Sequence, residues 1–271
     1  MVNGKNITVQ LNGSSICYDD LGVGLLPILF IHGFPLDKSM WQPQLDFFKS
    51  SHRVIAYDIR GFGKSTTGNE KVSISLFADD LIELMDALQI NIAIACGLSM
   101  GGYILLNAVN RYPERFEAII LSDTQCLADS PEAKEKRHTI IRQIVAGGLT
   151  DFAEDFVKNI FCKDSLSDKK ELIEKIKKVI LSTESLTITG TLSALVQRWE
   201  MCSSLKEISV PALIICGKED TVTPPAQSQF LQCNIANSRL YSIEKAGHMS
   251  NLEQPDEFNK HITNFISDLM K

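Results

Sequence analysis

Hydrophobic and polar positions along this 271-residue chain change their period several times. Near the start, Ile7, Val9 and Leu11 alternate with polar residues, Asn12-Gly13 follows, and Ile16 and Tyr18 resume the alternation. Alternating runs joined by a two-residue Asn-Gly turn predict a β-hairpin. Six later runs predict strands at Pro27–Ile31, Arg53–Tyr57, Ile92–Cys96, Ala118–Leu121, Ala212–Cys216 and Arg239–Ile243. The interior runs lack alternation, as strands covered on both faces do. Helical stripes separate them. Ser75 is placed to cap Phe77, Leu81, Leu84, Met85 and Leu88; Tyr103, Leu106 and Val109 recur up to Pro113; Pro255 opens Phe258, Ile262, Phe265, Ile266 and Leu269. Strands alternating with helices predict an α/β fold, a mostly parallel sheet with helices on both faces.

The rhythm breaks between Cys126 and Cys202, where no strand pattern occurs and four helical stripes do. Ser130-Pro131 opens the first, which includes Ile140, Ile141, Ile144 and Val145. The second holds Phe152, Phe156 and Ile160, the third Leu172, Ile176, Val179 and Ile180, and the fourth Leu192, Leu195, Val196 and Trp199. Most of these side chains are expected to be ordinary core. Their position between two strands, however, lets an all-helical insertion roof the strand ends where α/β sheets bind ligands. The expected division is a core of residues 1–126 and 203–271 and a helical cap of residues 127–202.

Composition narrows the function. A hydrophobic share of 44% is enough for a buried core, and a net charge of −6 argues against nucleic acid as a partner. No apolar run reaches membrane-spanning length, and Met1-Val2-Asn3-Gly4-Lys5 lacks the apolar core of a signal peptide, so a cytoplasmic protein is expected. The seven cysteines are odd in number, scattered and without C-x-x-C spacing. That pattern predicts reduced thiols rather than a disulfide framework or zinc site, with Cys96 and Cys216 packing as small hydrophobes.

The chemistry concentrates at Gly97-Leu98-Ser99-Met100-Gly101, a G-x-S-x-G pattern between a predicted strand and a helix. A serine on so sharp a turn is lifted clear of the fold, and small neighbours let backbone pass closely. Its hydroxyl needs a base to become a nucleophile, and an acid and then a histidine follow such a serine in the chain. His248 and His261 come late enough. His261 falls within the final amphipathic helix, whereas His248 lies in a loop after the last strand and is the expected base. Asp220, after the strand Ala212–Cys216, is the expected acid. Asp123 and Glu219 compete, each with a solvated loop carboxylate as its simpler reading. An oxyanion hole calls for the Met100 amide and an amide after the strand Pro27–Ile31, where Phe34 precedes a proline that has none. His32 is expected to brace that loop.

Taken together, His32-Gly33-Phe34-Pro35, Asp58-Ile59-Arg60-Gly61-Phe62-Gly63-Lys64-Ser65, the elbow, Gly217-Lys218-Glu219-Asp220 and Gly247-His248 make the chain resemble the α/β-hydrolase superfamily over nearly its whole length. The stretches His32–Trp41 and Ala246–Pro255 are most similar to 3-oxoadipate enol-lactonase-type esterases. The resemblance implies an eight-stranded, mostly parallel sheet with a helical cap after the sixth strand. It also implies a Ser-His-Asp hydrolase of small esters or lactones, with Asp58 and Arg60 bracing the site and no metal or organic cofactor. A slow-turnover ligand sensor, a cofactor-free perhydrolase and a C–C bond hydrolase share the same motifs and stay open. So do monomer or homodimer, and the pocket walls, for which Phe152, Phe156, Phe161, Leu192, Val196 and Trp199 are candidates. Arg137, Arg142 and Arg198 are candidates by region for holding an anionic substrate.

Overall fold

The structure, a computed structural model, describes residues 3–11 and 13–269. Eight strands make one sheet: β1 (Gly4–Leu11), β2 (Ser14–Leu21), β3 (Ile28–Ile31), β4 (Val54–Tyr57), β5 (Ala93–Leu98), β6 (Phe116–Ser122), β7 (Ala212–Gly217) and β8 (Ser238–Ile243). Their order is β1-β2-β4-β3-β5-β6-β7-β8. β1 and β2 form the expected hairpin, with Ile7 opposite Tyr18 and Val9 opposite Ile16; Asn12 of its turn lies outside the described residues. β2 also runs antiparallel to β4, and every later pairing is parallel. All residues of β3, β4, β5 and β7 are buried, which is why their sequences show no alternation.

The helices are α1 (Gln42–Phe48), α2 (Ile74–Ala87) and α3 (Met100–Arg111); then α4 (Pro131–Gly147), α5 (Thr150–Ile160), α6 (Lys163–Asp168), α7 (Lys170–Ser182) and α8 (Ser185–Gln197); and finally α9 (Pro225–Asn234), α10 (Ser250–Glu253) and α11 (Pro255–Leu269). α2 is capped by Ser73 rather than Ser75: extended backbone at Ser73 turns its Oγ toward the Leu76 amide, 3.0 Å away. Phe77, Ala78, Leu81, Leu84 and Met85 then fall on its buried face, each large side chain worth about 1.5–3 kcal/mol of burial. Five α-helices, rather than the four stripes visible in sequence, lie between β6 and β7, followed by a short 3-10 helix at Cys202–Glu207. The extra one, α6, is short and polar, and it starts where the Cys162 thiol accepts from the Ser165 amide.

Two of the cysteines depart from the expected reduced thiols. Cys126 and Cys202 form a disulfide across 76 positions, with Cα atoms 4.9 Å apart. Because β6 and β7 are neighbours, the chain leaves and re-enters the sheet side by side, and the Met201 amide donates to the Cys126 carbonyl. Spacing along the sequence carries no trace of that meeting, so the cysteine argument for a reducing compartment falls away. Cys17, Cys96, Cys162 and Cys216 are buried free thiols and Cys233 is exposed. Burial pushes the Cys96 and Cys216 thiols up, in keeping with their packing role. Among the described residues, no single helix is long and apolar enough to cross a membrane.

Candidate active site

β5 runs straight into α3 through Ser99, whose backbone sits at φ 55° and ψ −113°. Such a conformation costs of order 1–3 kcal/mol and persists only where its surroundings hold it. Here the Ser99 amide donates to the Ser122 carbonyl at 3.0 Å, and the Ser99 carbonyl accepts from Gly102 N and Thr124 Oγ1. The flanking glycines are a steric requirement. A Cβ on Gly97 would stand 2.3 Å from the Gly101 carbonyl oxygen, and one on Gly101 would stand 2.2 Å from that of Ile31. No side chain fits either gap.

The loop after β8 carries His248 back over this turn. Its Nε2 accepts from Ser99 Oγ at 2.8 Å, and its Nδ1 donates to Asp220 Oδ2 at 2.8 Å. Asp220 follows β7, and its other contacts prepare it to stay ionised: Oδ1 accepts the amides of Val222 and Thr223, and Oδ2 accepts the Thr223 hydroxyl. Burial acts upward on this carboxyl, but the imidazole, its hydrogen bond and Thr223 hold it below the ordinary aspartate value. For His248, burial acts downward, yet Asp220, with Asp123 and Glu253 behind it, carries the imidazole above the ordinary histidine value. Thr223 was not anticipated. It reaches the acid through the tight turn in which Asp220 accepts its own following amides, a local feature of aspartates in turns.

Among the competitors, Glu219 is exposed, and His261 packs on α11 with its ring 4.1 Å from that of Tyr241. Asp123 departs from expectation: instead of a solvated loop carboxylate it is 0% exposed. It adopts φ 45° at the end of β6, where Oδ1 accepts the Gly217 amide and Oδ2 accepts the Ser122 and Ser250 hydroxyls. Burial and the neighbouring Asp220 charge push it up to about 7. It hydrogen-bonds to neither His248 nor Ser99 and instead fastens the ends of β6 and β7 to α10.

The loop after β3 closes the other side. A Cβ on Gly33 would lie 3.3 Å from Ser99 Cβ, so the Phe34 backbone passes beside the serine while Met100 follows it on α3. Behind this loop, buried His32 accepts the Ile59 amide at Nε2 and donates to the Gly33 carbonyl from Nδ1; burial holds it below the ordinary value, hence neutral. Asp58 accepts both the amide and the ammonium of Lys38, bracing the loop as expected, whereas Arg60 turns to α2 and pairs with Asp80.

Over the loop, the Phe34 ring meets Phe152 and Phe156 of α5 at centroid distances of 6.3 and 6.2 Å. Phe161 and Leu192 are buried, and Val196 is half-buried. Trp199 is 80% exposed and belongs to the surface. None of the three candidate arginines is an unpaired cation. Arg137 and Arg198 share Asp129, and Arg142 pairs with Glu135. Among the described residues, no group of three or more His, Cys, Asp and Glu is placed to hold a metal ion.

Comparison with known proteins agrees with this architecture. Residues 27–255 match the family model for the alpha/beta hydrolase fold. A 3-oxoadipate enol-lactonase of Acinetobacter baylyi is 34% identical over 86% of this chain and 85% of its own. A thermophilic esterase from Thermogutta terrifontis superposes with a TM-score of 0.92 at 31% identity, covering 100% of both chains. The enol-lactonase of Burkholderia xenovorans gives 0.90 at 28% identity, covering 96% of this chain and 100% of that one. With an elbow between β5 and α3, an eight-stranded sheet and a family match across most of its length, this chain belongs to the α/β-hydrolase family.

Proposed function

We propose that this protein hydrolyses small, uncharged carboxylic esters and lactones through an acyl-enzyme on Ser99, with residues 127–202 as a cap over the site. The observation that carries this reading is the unbroken line from Ser99 Oγ through both imidazole nitrogens of His248 to Asp220, each link 2.8 Å long. The esterase and enol-lactonase named above support ester and lactone chemistry.

In this reading, Ser99 attacks the carbonyl carbon as His248 Nε2 takes its proton, and Asp220 keeps the Nδ1–H tautomer and stabilises the imidazolium. The amides of Phe34 and Met100 donate to the oxyanion. His248 then protonates the leaving oxygen and activates water against the acyl-enzyme. Phe34, Phe152 and Phe156 supply an apolar wall, and the pairing of Arg137, Arg142 and Arg198 with carboxylates leaves an acyl carboxylate without a partner among them.

The test is hydrolysis of p-nitrophenyl acetate and butyrate by the wild type and Ser99→Ala. A loss of kcat of roughly 10⁴-fold or more is expected in the variant; wild-type rates there would overturn the assignment. A p-nitrophenyl glutarate, which adds a carboxylate to the acyl chain, should show a lower kcat/KM than the butyrate.

A further inference from the structure

Glu253 is a buried carboxylate that the mechanism above does not use. It is 0% exposed, at the end of α10, five residues after His248. Its Oε1 accepts the amides of Gly247 at 2.7 Å and Met249 at 3.4 Å, the two residues that flank the histidine. Its Oε2 reaches in the other direction and accepts the Cys162 amide at 2.9 Å, at the junction of α5 and α6.

Other ties join the same two segments. The His248 amide donates to the Ile160 carbonyl, the Cys162 thiol donates to the Lys245 carbonyl, and the Lys169 ammonium donates to the Glu253 carbonyl. The backbones meet so closely that a Cβ on Gly247 would stand 2.8 Å from Cys162 N and 3.0 Å from the Ile160 oxygen. From this junction α5 leads back to Phe156 and Phe152, which face Phe34. One rigid helix therefore has the pocket wall at one end and the histidine loop at the other.

We propose that Glu253 is a positioning residue whose carboxylate locks the His248 loop onto α5 and α6, so that the seating of these helices sets the placement of the base. The proposal rests on reading Ser99 and His248 as nucleophile and base. A carboxylate buried on backbone amides is stabilised only while those donors stay aimed at it, and these donors come from two different parts of the chain. Its charge also acts on the imidazole, together with those of Asp220 at the end of β7 and Asp123 at the end of β6.

Glu253→Gln retains one oxygen and turns the other arm into a donor, so it cannot accept from both Gly247 and Cys162. With p-nitrophenyl butyrate, kcat should fall about tenfold or more while KM changes far less, since small misplacements of a reacting group cost rate. The His248 ring resonances, followed by NMR, should titrate at lower pH because a nearby negative charge is gone. Lys169→Met cuts only the tie to the Glu253 carbonyl; it should lower kcat less and leave the His248 titration in place. A folded Glu253→Gln with wild-type kcat and titration, and only a lower melting temperature, would make the residue merely structural and overturn the proposal. Should that variant not fold, an unchanged kcat in Lys169→Met overturns it. Ser99→Ala is run alongside: if it equals wild type, the nucleophile reading fails, and the His248 titration in Glu253→Gln still decides this one.

Discussion

β3, β4, β5 and β7 bury every one of their residues, whereas α4, seventeen residues long, buries only Ile144. The sheet is held by continuous apolar packing on both faces. The inserted helices also pack apolar side chains into the core, among them Val157, Ile160, Ile180, Ile188 and Leu192, but they add particular contacts: Arg137 and Arg198 on Asp129, Lys177 on Glu154, the Phe152–Phe156 pair, Glu253 on Cys162, and the disulfide at their base. A region built on generic burial announces itself by its pattern and tolerates little loss of volume. A region that leans on particular contacts leaves a weaker trace in the sequence and is freer to vary its lining.

The comparison breaks most sharply at the two buried aspartates. Asp220→Asn should lower kcat by roughly 10⁴-fold, because the amide favours the wrong imidazole tautomer. Asp123→Asn keeps an acceptor for Gly217 and donors for Ser122 and Ser250, so its kcat should stay within about tenfold of wild type. Steady-state rates on p-nitrophenyl acetate decide between them, and the opposite ranking would move the acid from β7 to β6.

Next in size is the contrast in packing. Phe30→Ala, in the centre of the sheet, should cost about 3–5 kcal/mol in urea unfolding. Phe152→Ala, half-buried on α5, should cost about 1 kcal/mol and raise KM for the butyrate ester instead. Equal costs at the two sites would erase the distinction between the regions. Breaking the Cys126–Cys202 link by serine at both positions should cost about 2–4 kcal/mol, and reductant should lower the melting temperature of the wild type but not of the variant.

The remaining effects are pH-dependent. His248 lies above the ordinary 6.5, so kcat/KM should rise with pH through a midpoint above that value as the base loses its proton. Asp123 is raised from 3.8 to about 7, so the folded state holds a proton that the unfolded chain releases. Its stabilising contribution is complete below 3.8 and is lost as pH rises through about 7. Asp123→Asn has no such proton, and relative to wild type it should gain stability between pH 5 and pH 8 in urea titrations.

Much of the site was legible because its signals are local. The elbow needs Gly97 and Gly101 for backbone clearance, and no other residue supplies it. Asp220 and His248 were found from chain order and strand ends, and both stand where that reasoning put them. Phe34 was chosen as an oxyanion donor because Pro35 has no amide to offer, and the loop that carries it lies beside Ser99. Asp123 was misjudged because its burial comes from β7 and α10, far away in sequence. Trp199, marked by its stripe as a wall, is exposed because α8 ends at Gln197 and the chain has left the helix before reaching it.

From sequence alone came the alternation of strands and helices, the strained serine and the order of its partners, since each follows from backbone sterics and short-range periodicity. Tertiary structure decided which carboxylate is buried without solvent, which two cysteines meet, which arginines are already neutralised, and that Glu253 ties the histidine loop to the inserted helices. Those depend on groups up to 127 residues apart being brought within hydrogen-bond distance, and distance in space is what a one-dimensional pattern does not encode.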